Sequence, residues 1–420
     1  MNILFVMLIY DDASAGRGYY SDLVQHVNRT GHKITVIAPS VDGFVGLREE
    51  AGVSVIRVNT GKLFEVHKVI KGINNLRLPG AFQKALDHHL KDSTFDWVVS
   101  PTPPITFAPL IKKLRKRYGC RSYLVLRDIF PQNARDLGFI NNSLIFNFFR
   151  RKEKQMYQVS DIIGCMSQGN IDYVANHNPQ LDSKKLTILY NWIGYDEDQL
   201  EGDESRQQLR ERFKIDGKFV ALFGGNLGKP QGIDAILDLA QSVKETHPDI
   251  HFLLMGNGTE RDHIERTIKD KSLHNVELRP FLPRTEYLKL ASVCDLGLVN
   301  LSKVSTTPNI PLRTFAYWTS ELPVLASLDA ATDIGKIIER ANGGKWSLTG
   351  DLDSYRANLL TLYENDADRK QMGRNGKLAV ALNYKTEVIG RRFIEQLDEF
   401  MKTGAVTTVA SQPTGQPTHV

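Results

Sequence analysis

Two successive rounds of alternating short apolar runs and helical patterns dominate this 420-residue sequence. In the first half, apolar runs such as Asn2–Tyr10 and Lys33–Ala38 alternate with helical patterns such as Gly80–Lys91. The alternation restarts at Phe219–Phe223, after the polar stretch Glu201–Lys218. Short continuous apolar runs between helices are typical of buried parallel strands. The pattern therefore predicts an α/β fold with two Rossmann-like, doubly wound domains facing a cleft.

The polar stretch sets the expected domain boundary. We predict a first domain over 1–195, a second over 196–385, a helix over 386–402 that packs back on the first domain, and a disordered tail over 403–420. The tail is small and polar, a composition that favours disorder. In doubly wound sheets, ligands bind beyond the carboxyl ends of the strands, where the strand order reverses. Domain interfaces are a second common location for small-molecule sites.

Bulk properties exclude several classes of protein. A net charge of +5 is mild for this length and does not predict nucleic-acid binding. The three cysteines lie far apart, so neither a metal motif nor a disulfide framework is expected. The N-terminus has no basic leader, and no apolar run reaches the ~18–20 residues of a membrane-spanning helix. We expect a cytoplasmic protein without cofactor or metal, which meets a membrane only from its surface.

The stretch FGGNLGKPQGID follows the first apolar run of the second half. Gly224 and Gly225 come where that strand should end, and glycine lets backbone N–H groups approach a ligand closely. Gly232 is expected to open the next helix, whose N-terminus attracts anions. Lys229 adds a full positive charge. The stretch indicates either a diphosphate cradle or a plain strand-to-helix turn, and it matches neither a P-loop nor a G-x-G-x-x-G motif.

Three later loops repeat this arrangement. MGNGTERDHIE places Gly256 and Gly258 after the next predicted strand, and RPFLPRTEY places Phe281 and Leu282 after the one that follows. The fourth loop lies in Thr306–Ser327. Apolar side chains at such positions can pack on a nucleotide base. Four loops of this kind, each after a strand of one domain, favour a nucleotide site over unrelated turns.

The combination of motifs resembles glycosyltransferase family 4, the retaining enzymes with the two-domain GT-B fold. It is most similar to the branch of WbuB-like L-fucosamine transferases of O-antigen and capsule assembly. The resemblance covers about Asn2 to Met401. Its matching segments are GRGYYSDLVQHVNRTGHKITVIAP, LVLRDIFPQNARDLG, LYNWIG, FGGNLGKPQGID, LLMGNGTERDHIE and IPLRTFAYWTSELPVLAS.

The resemblance implies an acceptor-binding first domain and a nucleotide-sugar-binding second domain. Arg127 and Asp128 would be catalytic and face the reacting centre. The implied donor-binding residues are Gly16, Gly18, Gly225, Asn226, Lys229, Gly256, Asn257, Phe281, Leu282, Arg284, Thr307, Pro308, Asn309, Ile310 and Arg313. The implied partners are a nucleotide-sugar, with a UDP-sugar favoured, and a glycan or undecaprenyl-linked acceptor.

The sequence departs from the family pattern in its charges. Many members carry an Arg near Asn226 and a Lys near Gln231, and two glutamates where this chain has Pro308 and Ala316. A His that often lies near the position of Arg127 is also absent. Lys229, with Arg284 or Arg313, would then have to supply the positive charge for the diphosphate.

Three functional hypotheses stay open on the sequence alone. The first is a nucleotide-sugar-dependent glycosyltransferase of surface polysaccharide biosynthesis. The second is a nucleotide-sugar epimerase of the same fold, and the third is a degenerate, non-catalytic binding protein. The lost charges favour the third. A dinucleotide dehydrogenase is remote, because no G-x-G-x-x-G follows the first strand of either half.

Two segments of the first half mix cations with apolar residues. They are LIKKLRKRYG at 110–119 and SLIFNFFRRKEKQMY at 143–157. Basic amphipathic helices can lie on anionic membranes. The alternative is an ordinary surface helix whose apolar side faces the core.

Overall fold

A computed structural model of the chain describes residues 1–11, 18–61, 68–194 and 204–406, with the backbone alone at 68–73. The described residues divide into two compact units, 1–194 with 386–406, and 204–385. Gly16, the expected boundary at 195/196 and the predicted tail from residue 407 onward lie outside the described residues.

The first unit is built on an eight-stranded sheet of order β3-β4-β2-β1-β5-β6-β7-β8. All neighbouring pairs are parallel except β3 with β4. The strand order reverses between β1 and β5, where Ile3 pairs with Trp97. The strands are β1 (Asn2–Val6), β2 (Lys33–Pro39), β3 (Gly46–Glu50), β4 (Val53–Val58), β5 (Trp97–Pro101), β6 (Arg121–Val125), β7 (Ile162–Cys165) and β8 (Leu186–Ile188).

Helices cover this sheet. They are α1 (Tyr19–Arg29), α2 (Lys68–His89), α3 (Ala108–Tyr118), α4 (Gln132–Asp136), α5 (Ser143–Val159), α6 (Gln168–His177) and the last helix of the chain, α15 (Thr386–Thr403). Phe393 of α15 packs against Phe5 and Tyr123 of the sheet, with ring centroids 6.2 and 5.0 Å apart. The Tyr123 hydroxyl also hydrogen-bonds the Gln396 side chain at 2.7 Å. The last helix is therefore part of the first unit's core.

The second unit has a six-stranded parallel sheet of order β11-β10-β9-β12-β13-β14. Its strands are β9 (Phe219–Gly224), β10 (Ile250–Met255), β11 (Val276–Arg279), β12 (Leu296–Asn300), β13 (Val324–Leu328) and β14 (Gly344–Leu348). Its helices are α7 (Arg206–Arg212), α8 (Asp234–Val243), α9 (Arg261–Asp270), α10 (Arg284–Val293), α11 (Leu312–Thr319), α12 (Ile334–Ala341), α13 (Leu352–Glu364) and α14 (Asp366–Asn383). The prediction of two Rossmann-like α/β domains is confirmed.

Strand β9 shows why these apolar runs become central strands. Residues Phe219 to Phe223 are all buried, so both faces of the strand are covered. Burial of each large apolar side chain contributes about 1.5–3 kcal/mol to folding. The strand order of the second unit reverses between β9 and β12, where Ala221 pairs with Leu296. The end of β9 therefore lies at the position where such sheets bind ligands.

Local details correct the sequence-based boundaries. Strand β1 ends at Val6 rather than Tyr10, although Tyr10 is buried. Helix α2 begins at Lys68, not Gly80, and includes Pro79. Helix α7 lies inside the polar stretch, because Ser205 caps it and Leu209 is buried.

Strand β3 was not predicted, because its sequence GLREE is mostly polar. Its Glu50 forms an ion pair at 2.6 Å with Arg57, which is fully buried in β4. Arg48 contacts the same carboxylate at 2.6 Å. The Arg57 guanidinium also donates to the Tyr10 carbonyl at 2.8 Å. An ion-pair network, rather than an apolar face, fixes this strand.

Two structural features are absent from the described residues. No helix there is both long and apolar enough to cross a membrane. No group of three or more His, Cys, Asp or Glu side chains in those ranges is arranged to hold a metal ion.

Candidate functional site

The loops after β9 and β12 meet at the point where the strand order reverses. Ser302 N–H donates to the Pro230 carbonyl at 2.9 Å. Gly232 has φ +52°, and a Cβ there would lie 3.1 Å from the Leu301 carbonyl oxygen. The expectation from the sequence that Gly232 opens a helix is therefore wrong. Gly232 ends a 3-10 turn over Lys229–Gln231, and α8 begins at Asp234.

The first two glycine-containing loops interlock. Gly225 N–H donates to the Met255 carbonyl, and Leu227 N–H to the Asn257 carbonyl, both at 2.9 Å. A Cβ on Gly256, at φ +144°, would lie 1.9 Å from the Gly225 carbonyl oxygen. Close contact between the two backbones is therefore sufficient to explain the glycine at 256. For this reason the glycine pattern alone is not evidence of a ligand.

Arg313, in the first turn of α11, lies beside these two interlocked loops. Its Cζ is 4.1 Å from the centroid of the Phe223 ring, and its Nη2 is 3.1 Å from where a Cβ on Gly225 would be. Its Nη1 is buried and has no hydrogen-bond partner among the described residues, and no ion pair to Arg313 is found there. Burial lowers the pKa of this guanidinium, while Tyr317 and Tyr287 oppose the shift. A guanidinium without a counter-ion is suited to an anionic ligand.

Two tyrosines that sequence reasoning missed position this arginine. The Tyr317 hydroxyl accepts a hydrogen bond from Gly224 N–H at 3.0 Å. Tyr287 hydrogen-bonds Tyr317, and its hydroxyl lies 2.2 Å from where a Cβ on Gly224 would be. Burial raises the pKa of both tyrosines, so both remain neutral hydroxyls at neutral pH. The available signal was the four-residue spacing of Arg313 and Tyr317, which puts them on one helix face.

The other predicted cations lie at the surface. Lys229 is exposed on its 3-10 turn, and the described residues offer it no ion pair. Arg284 is exposed at the start of α10. Asn226 is also exposed, with Nδ2 3.0 Å from where a Cβ on Gly228 would be. Of the three candidates for the diphosphate charge, Arg313 alone is partly buried against the glycine loop.

The residues predicted for the base pocket lie next to the second glycine loop. Phe281 is 57% exposed, and its ring is 3.5 Å from where a Cβ on Gly256 would be. Leu282 beside it is half-buried. Arg261, which was not predicted, donates from Nη1 to the Gly256 carbonyl at 2.9 Å and to Asn257 Oδ1 at 3.3 Å. Arg261 thereby fixes the loop beside an exposed aromatic face.

The fourth loop presents backbone more than side chains. Thr307, Pro308 and Ile310 are buried, and Asn309 is half-buried. The Asn309 carbonyl accepts a hydrogen bond from the Thr332 hydroxyl. The loop leads directly into α11, which begins at Leu312, and so determines the position of Arg313 in its first turn.

In the first unit, Arg127 is buried and its donors are directed to protein acceptors. Its Nε donates to the Tyr19 hydroxyl at 3.0 Å. Its Nη1 donates to the carbonyls of Leu189 and Leu126 at 3.1 and 3.2 Å, and its Nη2 to Tyr190 at 3.4 Å. This geometry orders the segment after β6 against the segment after β8.

Of the residues near Arg127, Tyr19 is packed against another ring and Asp128 is exposed to solvent. The Tyr19 ring stacks on Trp192 at 4.2 Å. Asp128 is exposed, yet the surrounding chain desolvates its carboxylate and raises its pKa, while Arg127 opposes the shift. Gly18 caps α1 and donates to Ser21 Oγ at 2.7 Å. Asp128 is thus the accessible member of the predicted catalytic pair.

Comparison with known proteins supplies the family context. Residues 205–379 match the family model described as Glycosyl transferases group 1. WbjE of Pseudomonas aeruginosa, named as a glycosyltransferase, is 24% identical over 59% of this chain. The match spans only 61% of the length of WbjE. WcaI of Escherichia coli K12, named as a colanic acid biosynthesis glycosyl transferase, is 20% identical over 82% of this chain and 87% of its own.

A solved structure shares the fold over nearly the whole chain. HepE of Anabaena, determined in complex with UDP, superposes with a TM-score of 0.68 at 13% identity, covering 95% of this chain and 100% of HepE. The chain therefore has the GT-B fold, with two Rossmann-like domains, and its second unit contains the segment that is similar to the glycosyl transferases group 1 model.

Proposed function

We propose that the protein transfers a sugar, with retention, from a nucleotide-sugar to a glycan or undecaprenyl-linked acceptor in bacterial surface polysaccharide biosynthesis. A UDP-sugar is the favoured donor, the cytoplasm is the proposed location, and glycosyltransferase family 4 near its WbuB-like branch is the proposed affiliation. The names of WbjE and WcaI support the reaction class. The complex of HepE with UDP supports a uridine nucleotide.

The observation that carries the proposal is the Arg313 guanidinium beside Gly225, whose buried Nη1 has no hydrogen-bond partner in the part of the chain that the structure describes. A buried charge without a partner destabilises a fold unless a ligand compensates for it. The guanidinium geometry matches a phosphate oxygen pair. As the sugar–phosphate bond breaks, negative charge develops on the departing diphosphate. A cation fixed in advance at that position stabilises this charge without reorganisation.

The remaining predicted residues take supporting roles. Lys229 approaches the diphosphate from the exposed side of the glycine loop, and Phe281 with Leu282 packs on the base. The 307–310 loop presents its backbone to the distal phosphate and the sugar. Arg127 positions the first-unit segment that carries Asp128, and Asp128 faces the reacting centre.

A degenerate binding protein is the second candidate, favoured by the uncharged Asn226, Gln231 and Ala316. Arg313 can replace the charge lost at the first two of these positions. An epimerase is the remaining alternative. Product analysis separates the three: a transferase releases nucleoside diphosphate and extends an acceptor, an epimerase yields a new sugar isomer, and a binding protein yields neither.

The first experiment is a thermal-shift panel with UDP, GDP, ADP, dTDP and NAD on the wild type and Arg313→Gln. A ligand at about 100 times its Kd stabilises the folded protein by roughly 2.7 kcal/mol, which gives a measurable shift. We expect a selective response to one nucleoside diphosphate, UDP first, that Arg313→Gln reduces. Arg266→Gln, at an exposed position of α9, is the matched control. A response to NAD alone, or an unchanged response in Arg313→Gln, contradicts the proposal.

A further inference from the structure

The first turns of α5 expose a group of large apolar side chains. Leu144 is 80% exposed, Ile145 50% and Phe148 41%, and Phe139 just before the helix is 49% exposed. These four residues are called the α5 apolar patch below. Single exposed apolar residues are common on soluble proteins, whereas several within ten residues indicate an interaction surface.

The patch is held in place by the structure around it. Asn142 caps the helix, and its Oδ1 accepts hydrogen bonds from the N–H groups of Leu144 and Ile145 at 2.8 and 3.2 Å. The second half of α5 is anchored in the first unit, where Met156 and Tyr157 are buried. One end of the helix is therefore core, and the other presents ordered apolar side chains to solvent. Leu144, Ile145 and Phe148 are exposed, so the apolar side of α5 does not face the core along its whole length.

The side chains that flank the patch are mainly cationic, although Asp136 and Glu153 border the segment and the buried Glu153 forms an ion pair with Arg150. No Asp or Glu occurs from 137 to 152, whereas Arg150, Arg151 and Lys152 follow the patch directly. Arg151 is exposed, and the Lys152 ammonium lies 5.6 Å from the centroid of the Phe148 ring. Arg135 of α4 is exposed and lies 4.5 Å from the Phe146 ring centroid. Cations are thus interleaved with exposed aromatic and aliphatic groups.

We propose that the α5 apolar patch docks on an anionic phospholipid bilayer. The apolar side chains would enter the boundary between headgroups and acyl chains, while Arg135, Arg151 and Lys152 remain at the level of the lipid phosphates. Helices with an apolar face and flanking cations bind membranes in this way, and long cationic side chains reach outward to the headgroups. A protein partner of ordinary composition would not require an excess of positive charge around the patch. The inference is independent of the proposed donor nucleotide.

The test is co-sedimentation of the full chain with vesicles of phosphatidylcholine alone, or mixed with phosphatidylglycerol. We expect binding to the mixed vesicles, weaker binding to neutral ones, and loss on raising the salt concentration. Leu144→Ser/Phe148→Ser should weaken binding by at least about tenfold. Arg151→Gln and Lys152→Gln should each weaken it by about fivefold.

The chain offers a matched control in Leu378→Ser/Leu382→Ser. These two leucines are also four residues apart on a helix, α14, and each is 52% exposed. This control should bind vesicles like the wild type, and circular dichroism should show that both double variants remain folded.

Three results would overturn the proposal. One is equal binding of the wild type to both vesicle types, or no binding to either. Another is unchanged binding of the Leu144→Ser/Phe148→Ser variant. The third is light scattering that shows a wild-type dimer which this variant converts to a monomer, because a second copy of the chain would then occupy the patch.

Discussion

The hydroxyl of Tyr317 accepts a hydrogen bond from the backbone N–H of Gly224 at 3.0 Å. This bond ties α11 to the end of β9 through two residues that are 93 positions apart in the chain. Arg313 lies one helical turn before Tyr317, so the bond also fixes its guanidinium beside Gly225. The position of the proposed diphosphate ligand therefore depends on a tyrosine that need not touch the nucleotide.

Tyr317→Phe should lower both stability and nucleotide affinity. Removing the acceptor leaves the Gly224 N–H without its partner, which costs about 1–3 kcal/mol. We expect a lower free energy of unfolding in urea and a severalfold weaker affinity for the responding nucleoside diphosphate in calorimetry. Tyr363→Phe, at a surface hydrogen bond to Asp249, should change neither. Unaltered affinity in Tyr317→Phe would show that the tyrosine does not position Arg313.

Gly256→Ala should destabilise the second unit. The new Cβ would lie 1.9 Å from the Gly225 carbonyl oxygen, at a φ of +144° that L-residues rarely adopt. We expect a loss of at least about 2 kcal/mol in the free energy of unfolding, from strain and displacement of the loop. Gly80→Ala meets nothing within 4 Å in α2 and should be neutral or slightly stabilising. Equal stability of the two variants would contradict the interlocked geometry.

Glu50→Gln should destabilise the first unit in a pH-dependent way. Desolvation would raise the pKa of this carboxyl, but hydrogen bonds from Arg57 and Arg48 outweigh it, so the net pKa is lowered. A depressed carboxyl pKa contributes stability above the unfolded value of 4.5, and that contribution is lost as pH falls below it. At neutral pH the variant leaves Arg57 buried and unpaired, at a cost of about 3 kcal/mol.

The corresponding measurement is urea unfolding of wild type and Glu50→Gln between neutral and acidic pH. The stability difference should be largest at neutral pH and shrink below 4.5. Glu49→Gln, at the exposed neighbouring position, should behave like the wild type throughout. A difference that stays constant with pH would mean that the carboxylate charge is not what stabilises β3.

Asp128→Asn should reduce turnover more than donor binding. The carboxylate is exposed, while its neighbour Arg127 is occupied by backbone carbonyls and the Tyr19 hydroxyl. We expect kcat to fall by at least about tenfold, with nucleotide affinity unchanged. Steady-state kinetics and calorimetry on the same preparation separate the two. Asp172→Asn, at an exposed position of α6, is the control. Parallel losses in kcat and affinity would indicate a structural role.

Much of the architecture follows from local patterns. Continuous apolar runs such as Phe219–Phe223 can be stable only when both faces are covered, so they indicate parallel sheets without further information. The positions of the glycine loops follow from the ends of those runs. Strand β3 could not be found in this way, because its pairing depends on a buried ion pair with Arg57.

The chemistry of the site was less accessible from sequence. In sequence Gly232 looks like a helix start, but in the structure it has a left-handed φ of +52° and lies against the Leu301 backbone. From the sequence alone, Lys229 and Arg313 are equally good candidates for a diphosphate-binding cation, although Lys229 is exposed and Arg313 partly buried. Only the pairing of β9 with β12, far apart in the chain, brings Arg313 against Phe223.

The return of α15 to the first sheet makes the second unit an insertion, entered and left through two junctions. Residues 204–385 can therefore be exchanged as one cassette with the matching segment of a relative, while 386–406 stays with its own core. A chimera ending at Lys385 would instead uncover Phe5 and Tyr123, which pack against Phe393. Recombination between such genes is expected to succeed when the final helix travels with the beginning of the chain.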